Sequence, residues 1–314
     1  MKLEDIPGVG KAIAEKLREG GVETPEDLEG MSVDDLVEIG VPKALAKKIL
    51  KWFHENRHLN VMTGRQYKEL DAKRLVLKTH TRIDNLLDGG LKETYLTEAY
   101  GQFATGKTQL AHQLAVIAQL PAKMGGLEGK VMYIDTENTF SPRRIEAIAK
   151  RFGVNPDVAL DNIVLIQAVT SDDLYAATKV KLKSLLQKYE GIKLIIVDSI
   201  TAPFRAEYVD LNKLPERQKK LGEILMALHE AALGLMDGVP KVVYYTNQVT
   251  TRIGGFINPL AAEIHVGGNI IGHRAQYRLY MRKASGNKRI VRIVDAHDRP
   301  SGEAVIEIKN DGLY

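Results

Sequence analysis

"AYGQFATGKTQLAHQLAV", residues 99–116, is the stretch whose reading decides the fold. Inside it Gly101 to Thr108, "GQFATGKT", satisfies GxxxxGK[ST] directly after the apolar run "TYLTEAYG" and directly before "QLAHQLAVIAQL", which is helical in pattern. Strand, glycine loop and helix in that order form a triphosphate site, because loop N–H groups and the helix N-terminus converge on the phosphates. The predicted nucleotide-binding residues are therefore Gly101, Gln102, Phe103, Ala104, Thr105, Gly106, Lys107, Thr108 and Gln109. Lys107 would reach the β and γ oxygens of ATP, and the Thr108 hydroxyl would ligate Mg²⁺.

Outward from the loop, "KVMYIDTE" (130–137), "NIVLIQAV" (162–169), "KLIIVDS" (193–199) and "KVVYYTNQ" (241–248) alternate with helical stretches. That rhythm predicts an α/β core with a mainly parallel sheet covered on both faces. Beyond residue 274, "AQYRLYMRKA", "KRIVRIVDA" and "EAVIEIKN" follow one another without helices, so the sheet is expected to end in antiparallel strands. Asp198 closes an apolar strand. Its carboxylate should emerge at the carboxyl edge of the sheet and hold Mg²⁺ through water, the alternative being a capping aspartate. Asp135 and Glu137 close another strand, and either could orient or deprotonate the attacking water; spacing leaves both open.

The first sixty residues read differently. "IPGVGKAIAEKLREGGV" places Ile13, Leu17 and Val22 at helical spacing after a glycine turn, and "EIGVPKALAKKIL" repeats the plan with Gly40, Leu45, Ile49 and Leu50. Such paired units fit the helix-hairpin-helix motif, whose turn N–H groups meet phosphate oxygens without reading sequence. A helical protein-interaction module is the alternative. The expected organisation is a small all-α helix-hairpin-helix domain over 1–58, a polar linker over 59–78 and a core over 79–314.

Composition narrows the classes. With 314 residues, 44% hydrophobic and 27% charged, the chain is neither disordered nor membrane-embedded in character. No apolar run of about 18 residues occurs, and "MKLEDIPGVG" lacks a signal peptide's apolar segment, so a cytoplasmic location is expected. The absence of cysteine excludes disulfides, thiolate metal sites and thiol nucleophiles. Net charge is +4; nine Lys or Arg against twelve Asp or Glu leave −3 on residues 1–60 and +7 on the remainder. A basic core is compatible with a polyanionic partner.

The phosphate loop, "YIDTENTF", "LIIVDS" and "TNQV" in this order, with "FRAEY" and "ERQKKL", resemble the archaeal RadA recombinases of the RecA-like strand-exchange family. The resemblance runs nearly end to end and implies a RecA-like P-loop ATPase core, DNA-dependent ATP hydrolysis with Mg²⁺, single- and double-stranded DNA as partners, and a homo-oligomer, helical filament or ring. It implies Glu137 as the carboxylate that activates water, Arg144 stacked on adenine, and Gln248 sensing the γ-phosphate. It implies a nucleotide cap from the neighbouring subunit at Asp295 and Pro300. The resemblance places two DNA-facing loops at about residues 204–217 and 249–268, segments that the sequence predicts between regular elements, with Arg205, Lys213, Arg217 and Arg252 as the expected contacting cations.

Departures from the family stand beside the matches. Its Phe-x-x-Ala polymerisation plug is "VMTG" here, Val61 to Gly64, which removes an aromatic anchor. Its Gly-Arg-Gly in the first loop is "VDLNK", where Asp210 carries the wrong charge and Lys213 is the available cation. Asn269 stands where a histidine is usual, and "QFATGKT" where "EFGSGKT" is usual. These keep a second reading open, a RadA paralogue that binds ATP and DNA as a regulator without long filaments; a hexameric RecA-core helicase is the third.

Overall fold

The computed structural model describes residues 2–29, 31–56, 61–208, 211–251, 263–265 and 274–314. They form two compact units, Met1–Ala72 and Lys73–Tyr314.

The first unit carries α1 (Lys11–Glu19), α2 (Val33–Glu38), α3 (Lys43–Asn56) and α4 (Gly64–Asp71). Helix α2 starts at a capping box: Ser32 Oγ accepts from Asp35 N at 3.1 Å, and Asp35 Oδ2 accepts from Ser32 N at 2.6 Å. Helix α3 buries Ala46, Ile49, Leu50 and Phe53 along one face, against Leu3, Ile6, Leu17 and Leu36. Val22 lies beyond α1, which ends at a glycine turn, yet it is buried and its N–H returns to Leu17 O at 2.8 Å. The stretch expected as linker holds α4, whose N-cap Thr63 exchanges hydrogen bonds with Gln66.

The second unit begins with β1 (Val76–Leu77), α5 (Ile83–Leu86), β2 (Leu91–Lys92), β3 (Leu96–Gly101), α6 (Lys107–Ile117) and β4 (Lys130–Asp135). It continues through α7 (Pro142–Arg151), α8 (Pro156–Asp161), β5 (Ile163–Gln167), α9 (Ser171–Tyr175), α10 (Leu182–Lys188) and β6 (Ile192–Asp198). It closes with α11 (Ala202–Glu207), α12 (Leu214–Ala232), β7 (Val242–Thr251), β8 (Glu263–His265), β9 (Tyr277–Lys283), β10 (Lys288–Ala296), β11 (Gly302–Lys309) and β12 (Gly312–Leu313).

The main sheet runs β12-β11-β10-β9-β3-β7-β6-β4-β5, with β8 paired to β7. From β9 to β5 neighbours are parallel, and β9, β10, β11 and β12 pair antiparallel. The period of two divides each central strand between two cores. Tyr133, Leu194, Ile196 and Tyr244 face α6 and α7, while Met132, Ile195, Val197 and Val243 face the side of α10 and α12. Helix α6 lies between the sheet and α7 and is buried nearly all round, so its polar side chains Lys107, His112 and Gln113 need partners inside the protein. Its buried Gln113 is satisfied by Thr79 O at 2.7 Å and by Leu313, whose N–H donates to Oε1 at 2.7 Å.

The two segments expected to face DNA are more regular than the sequence suggested. Within 204–217, α11 extends to Glu207, a 3-10 turn covers Leu211–Lys213 and α12 begins at Leu214. Pro203 and Pro215 each sit in a first helical turn, where a missing N–H costs nothing, and Phe204 is fully buried. Within 249–268, residues 249–251 continue β7 and pair with 263–265. Arg252, Asp210 and Asn269 lie outside the described residues.

Candidate nucleotide site

Neighbouring strands in the order β3-β7-β6-β4 deliver the site to one edge of the sheet, with Gly101 in register with Gln248 and Asp135 with Asp198. A cavity of about 680 Å³ opens there, the size of a small-molecule site. Of the predicted loop residues, Phe103 to Gln109 line it, and Glu137, Arg144, Asp198 and Gln248 line it too. Gly101 and Gln102 do not; their carbonyls take part by receiving Lys107.

Gly101 has φ +154°, and a Cβ there would lie 2.1 Å from the Met281 carbonyl oxygen, so β9 approaches too closely for any side chain. Ala104 adopts φ +62°, a left-handed conformation at a non-glycine residue. Lys107 Nζ donates to Gly101 O and Gln102 O, both at 2.9 Å. Burial pushes its pKa below the ordinary lysine value, and Asp198 and Glu137 oppose that.

The two carboxylates that the sequence left equivalent have different surroundings. Asp135 is buried, and its oxygens accept from the N–H groups of Glu137 (3.1 Å), Thr139 (3.2 Å) and Phe140 (2.9 Å). It builds the turn. Glu137 projects from that turn into the cavity, and Gln248 Nε2 donates to both of its oxygens at 2.9 Å. Gln248 Oε1 in turn accepts from Arg205 Nη1 on α11.

Asp198 is 2% exposed and receives the hydroxyls of Tyr133 and Thr246. Burial raises the Tyr133 pKa well above its usual value, which keeps the phenol a donor. Arg144 Nη1 donates to Lys309 O at 2.7 Å and Asn310 O at 2.6 Å, while its buried Nε and Nη2 find no protein acceptor. Asp295 and Pro300 are exposed and absent from this cavity. Lys213 is exposed, whereas Arg217 is half-buried in α12 with no acceptor for Nε.

Two contributors were missed. Arg289 on β10 lines the cavity, and no local pattern in "GNKRIV" distinguishes it. His112 also lines it, one helical turn after Thr108, and that spacing was available as a signal. Its Nδ1–H donates to Thr108 O at 2.7 Å, and Nε2 accepts from Ser141 N at 2.9 Å, so α6 is tied to the turn bearing Glu137. Burial is the main influence on its pKa, lowering it from 6.5. Below pH of about 6.5 the unfolded chain binds the proton that the folded protein resists, so stability falls as pH drops through that window. Urea midpoints should decline from pH 7 to 5, and His112→Gln should make that decline shallower.

This fold and site define a RecA-like P-loop ATP-binding protein with a helix-hairpin-helix domain in front. The chain belongs to the Rad51 family, matched over residues 72–314, and residues 1–53 match the SAM-like helix-hairpin-helix tandem. It is 38% identical over 314 residues to the DNA repair and recombination protein RadA of Metallosphaera sedula, covering 99% of this chain and 94% of that one. Identity to the RadA of Ignicoccus hospitalis is 40% over 321 residues, covering 99% and 94%. Identity to that of Methanoculleus marisnigri is 39% over 324 residues, covering 99% and 98%.

Proposed function

We propose that this protein binds Mg²⁺-ATP in the cavity, hydrolyses it in a DNA-dependent reaction, and pairs single-stranded DNA with a homologous duplex in the cytoplasm. It is a DNA repair and recombination protein of the RadA kind, and likeness over nearly the whole chain favours this reading over a regulatory paralogue. Among the described residues no helix is long and apolar enough to cross a membrane.

Geometry and the likeness to RadA together support the following roles. Loop N–H groups and Lys107 hold the phosphates, Lys107 turning from the Gly101 and Gln102 carbonyls to do so. Hard oxygen donors suit Mg²⁺, which takes few protein ligands and completes its shell with phosphate and water. The Thr108 hydroxyl and the Asp198 carboxylate in one cavity fit it, and the ion would neutralise charge on the β and γ oxygens. Glu137 accepts the proton of the attacking water. The guanidinium plane of Arg144, with Nη1 fixed by Lys309 O and Asn310 O, offers a flat cationic face on which the adenine stacks. Asp295 and Arg289 share β10 but sit about 20 Å apart at roughly 3.3 Å per residue, so Asp295 and Pro300 serve as cap for a nucleotide on a neighbouring copy.

The observation that carries the DNA dependence is the chain Glu137–Gln248–Arg205, which connects the water-activating carboxylate to α11. The Gln248 amide donates to both Glu137 oxygens and so fixes the orientation of the carboxylate. A DNA phosphate that draws Arg205 away removes the donor that orients Gln248, and Glu137 is released. Arg205, Lys213, Arg217 and Arg252 supply the phosphate contacts.

ATP turnover measured with and without single-stranded DNA, alongside strand exchange, tests the reading. Turnover indifferent to DNA would sink it. Arg205→Ala should lower the ratio of DNA-stimulated to DNA-free turnover by about tenfold, a coupling of about 1.4 kcal/mol. An unchanged ratio would remove Arg205 from the route.

A further inference from the structure

The phosphate loop contains an alanine where its backbone takes a conformation that L side chains avoid, Ala104 at φ +62°. A single side chain from a distant strand grips the loop at that point. Arg289 Nε donates to Ala104 O at 3.2 Å. Its stem passes over the second glycine, with Cγ 3.6 Å from where a Cβ on Gly106 would stand. Nη1 donates to Gly286 O at 3.1 Å and Lys288 O at 2.8 Å, which pins the guanidinium to the turn between β9 and β10. All of these acceptors are backbone carbonyls, so the group spends its hydrogen bonds on holding main chain in place.

We propose that Arg289 is a positioning residue for the phosphate loop, holding Ala104 left-handed so that the loop N–H groups are aimed before the triphosphate arrives. Glycine would take that conformation unaided; alanine needs the tether. The planar fork of arginine suits the task because Nε and Nη1 serve two places at once, which a lysine ammonium cannot reproduce. Arg289 therefore acts on the nucleotide through the loop, and preorganisation is what its loss would remove. The proposal rests on the reading of the cavity as a nucleotide site.

The test is a double-mutant cycle on the full chain, with affinity for the fluorescent analogue mant-ATP and Mg²⁺ as the readout. Arg289→Ala should weaken binding about tenfold, and Arg289→Lys, which keeps the charge and the stem over Gly106, should weaken it by a similar factor. In an Ala104→Gly background the Arg289→Ala loss should shrink to about threefold or less. In turnover, Arg289→Ala should raise KM for ATP more than it lowers kcat. Wild-type affinity in Arg289→Lys, or equal losses in the two backgrounds, would mean that the residue acts only as a charge on the ligand and would overturn the proposal. If wild type binds mant-ATP and Arg289→Ala binds equally well, the proposal fails alone. If wild type itself does not bind, the nucleotide reading fails and takes the proposal with it.

Discussion

Glu137→Gln is expected to bind Mg²⁺-ATP as wild type does and to hydrolyse it about 10²- to 10⁴-fold more slowly, the usual contribution of one positioned general base. The substitution preserves shape and removes only the ability to take a proton. Asp135 cannot substitute, because its oxygens are occupied by three backbone N–H groups and it is buried beneath the turn. Binding is expected to persist because the loop and Lys107, proposed to hold the phosphates, belong to other elements. The measurement is mant-ATP affinity together with single-turnover hydrolysis in the presence of single-stranded DNA. Near-normal hydrolysis would show that another group activates the water, and the Glu137–Gln248–Arg205 route would lose its meaning.

Lys107→Ala is expected to weaken ATP binding by roughly 100-fold, about 3 kcal/mol, as removal of one partner from a desolvated charge pair does. The lysine is 7% exposed, so water replaces little of what is lost. Its removal also frees the carbonyls of Gly101 and Gln102, which it bridges, and loosens the loop at its first turn. Affinity within about threefold of wild type would show that the triphosphate lies elsewhere.

The strands and the phosphate loop were legible in the sequence because both are written as local periodicity: apolar runs, then a glycine pattern, then a helix. Asp198 was legible for the same reason, standing at the end of its run. The choice between Asp135 and Glu137 was not, since it depends on which oxygens the following N–H groups reach, and the resemblance to known recombinases had to supply it. Arg289 was invisible because its partner Ala104 is 185 residues away in the chain. The segment 204–217 was located by resemblance and read as lying between regular elements, although Pro203 and Pro215, each suited to a first helical turn, were local signs of helix.

Strand β7 has a consequence of its own. It passes Thr246 and Gln248 along the cavity and runs without interruption to Thr251, where it meets β8. Successive side chains on a strand point to opposite faces, so what β7 carries from one end to the other is parity. One residue inserted between Tyr245 and Thr246 would bring Asn247, now bonded to Thr201 and Glu98, to the cavity side and turn Gln248 away from Glu137; two inserted residues would restore the facing. At the candidate site β7 can therefore tolerate a change of length more readily than a change of odd and even.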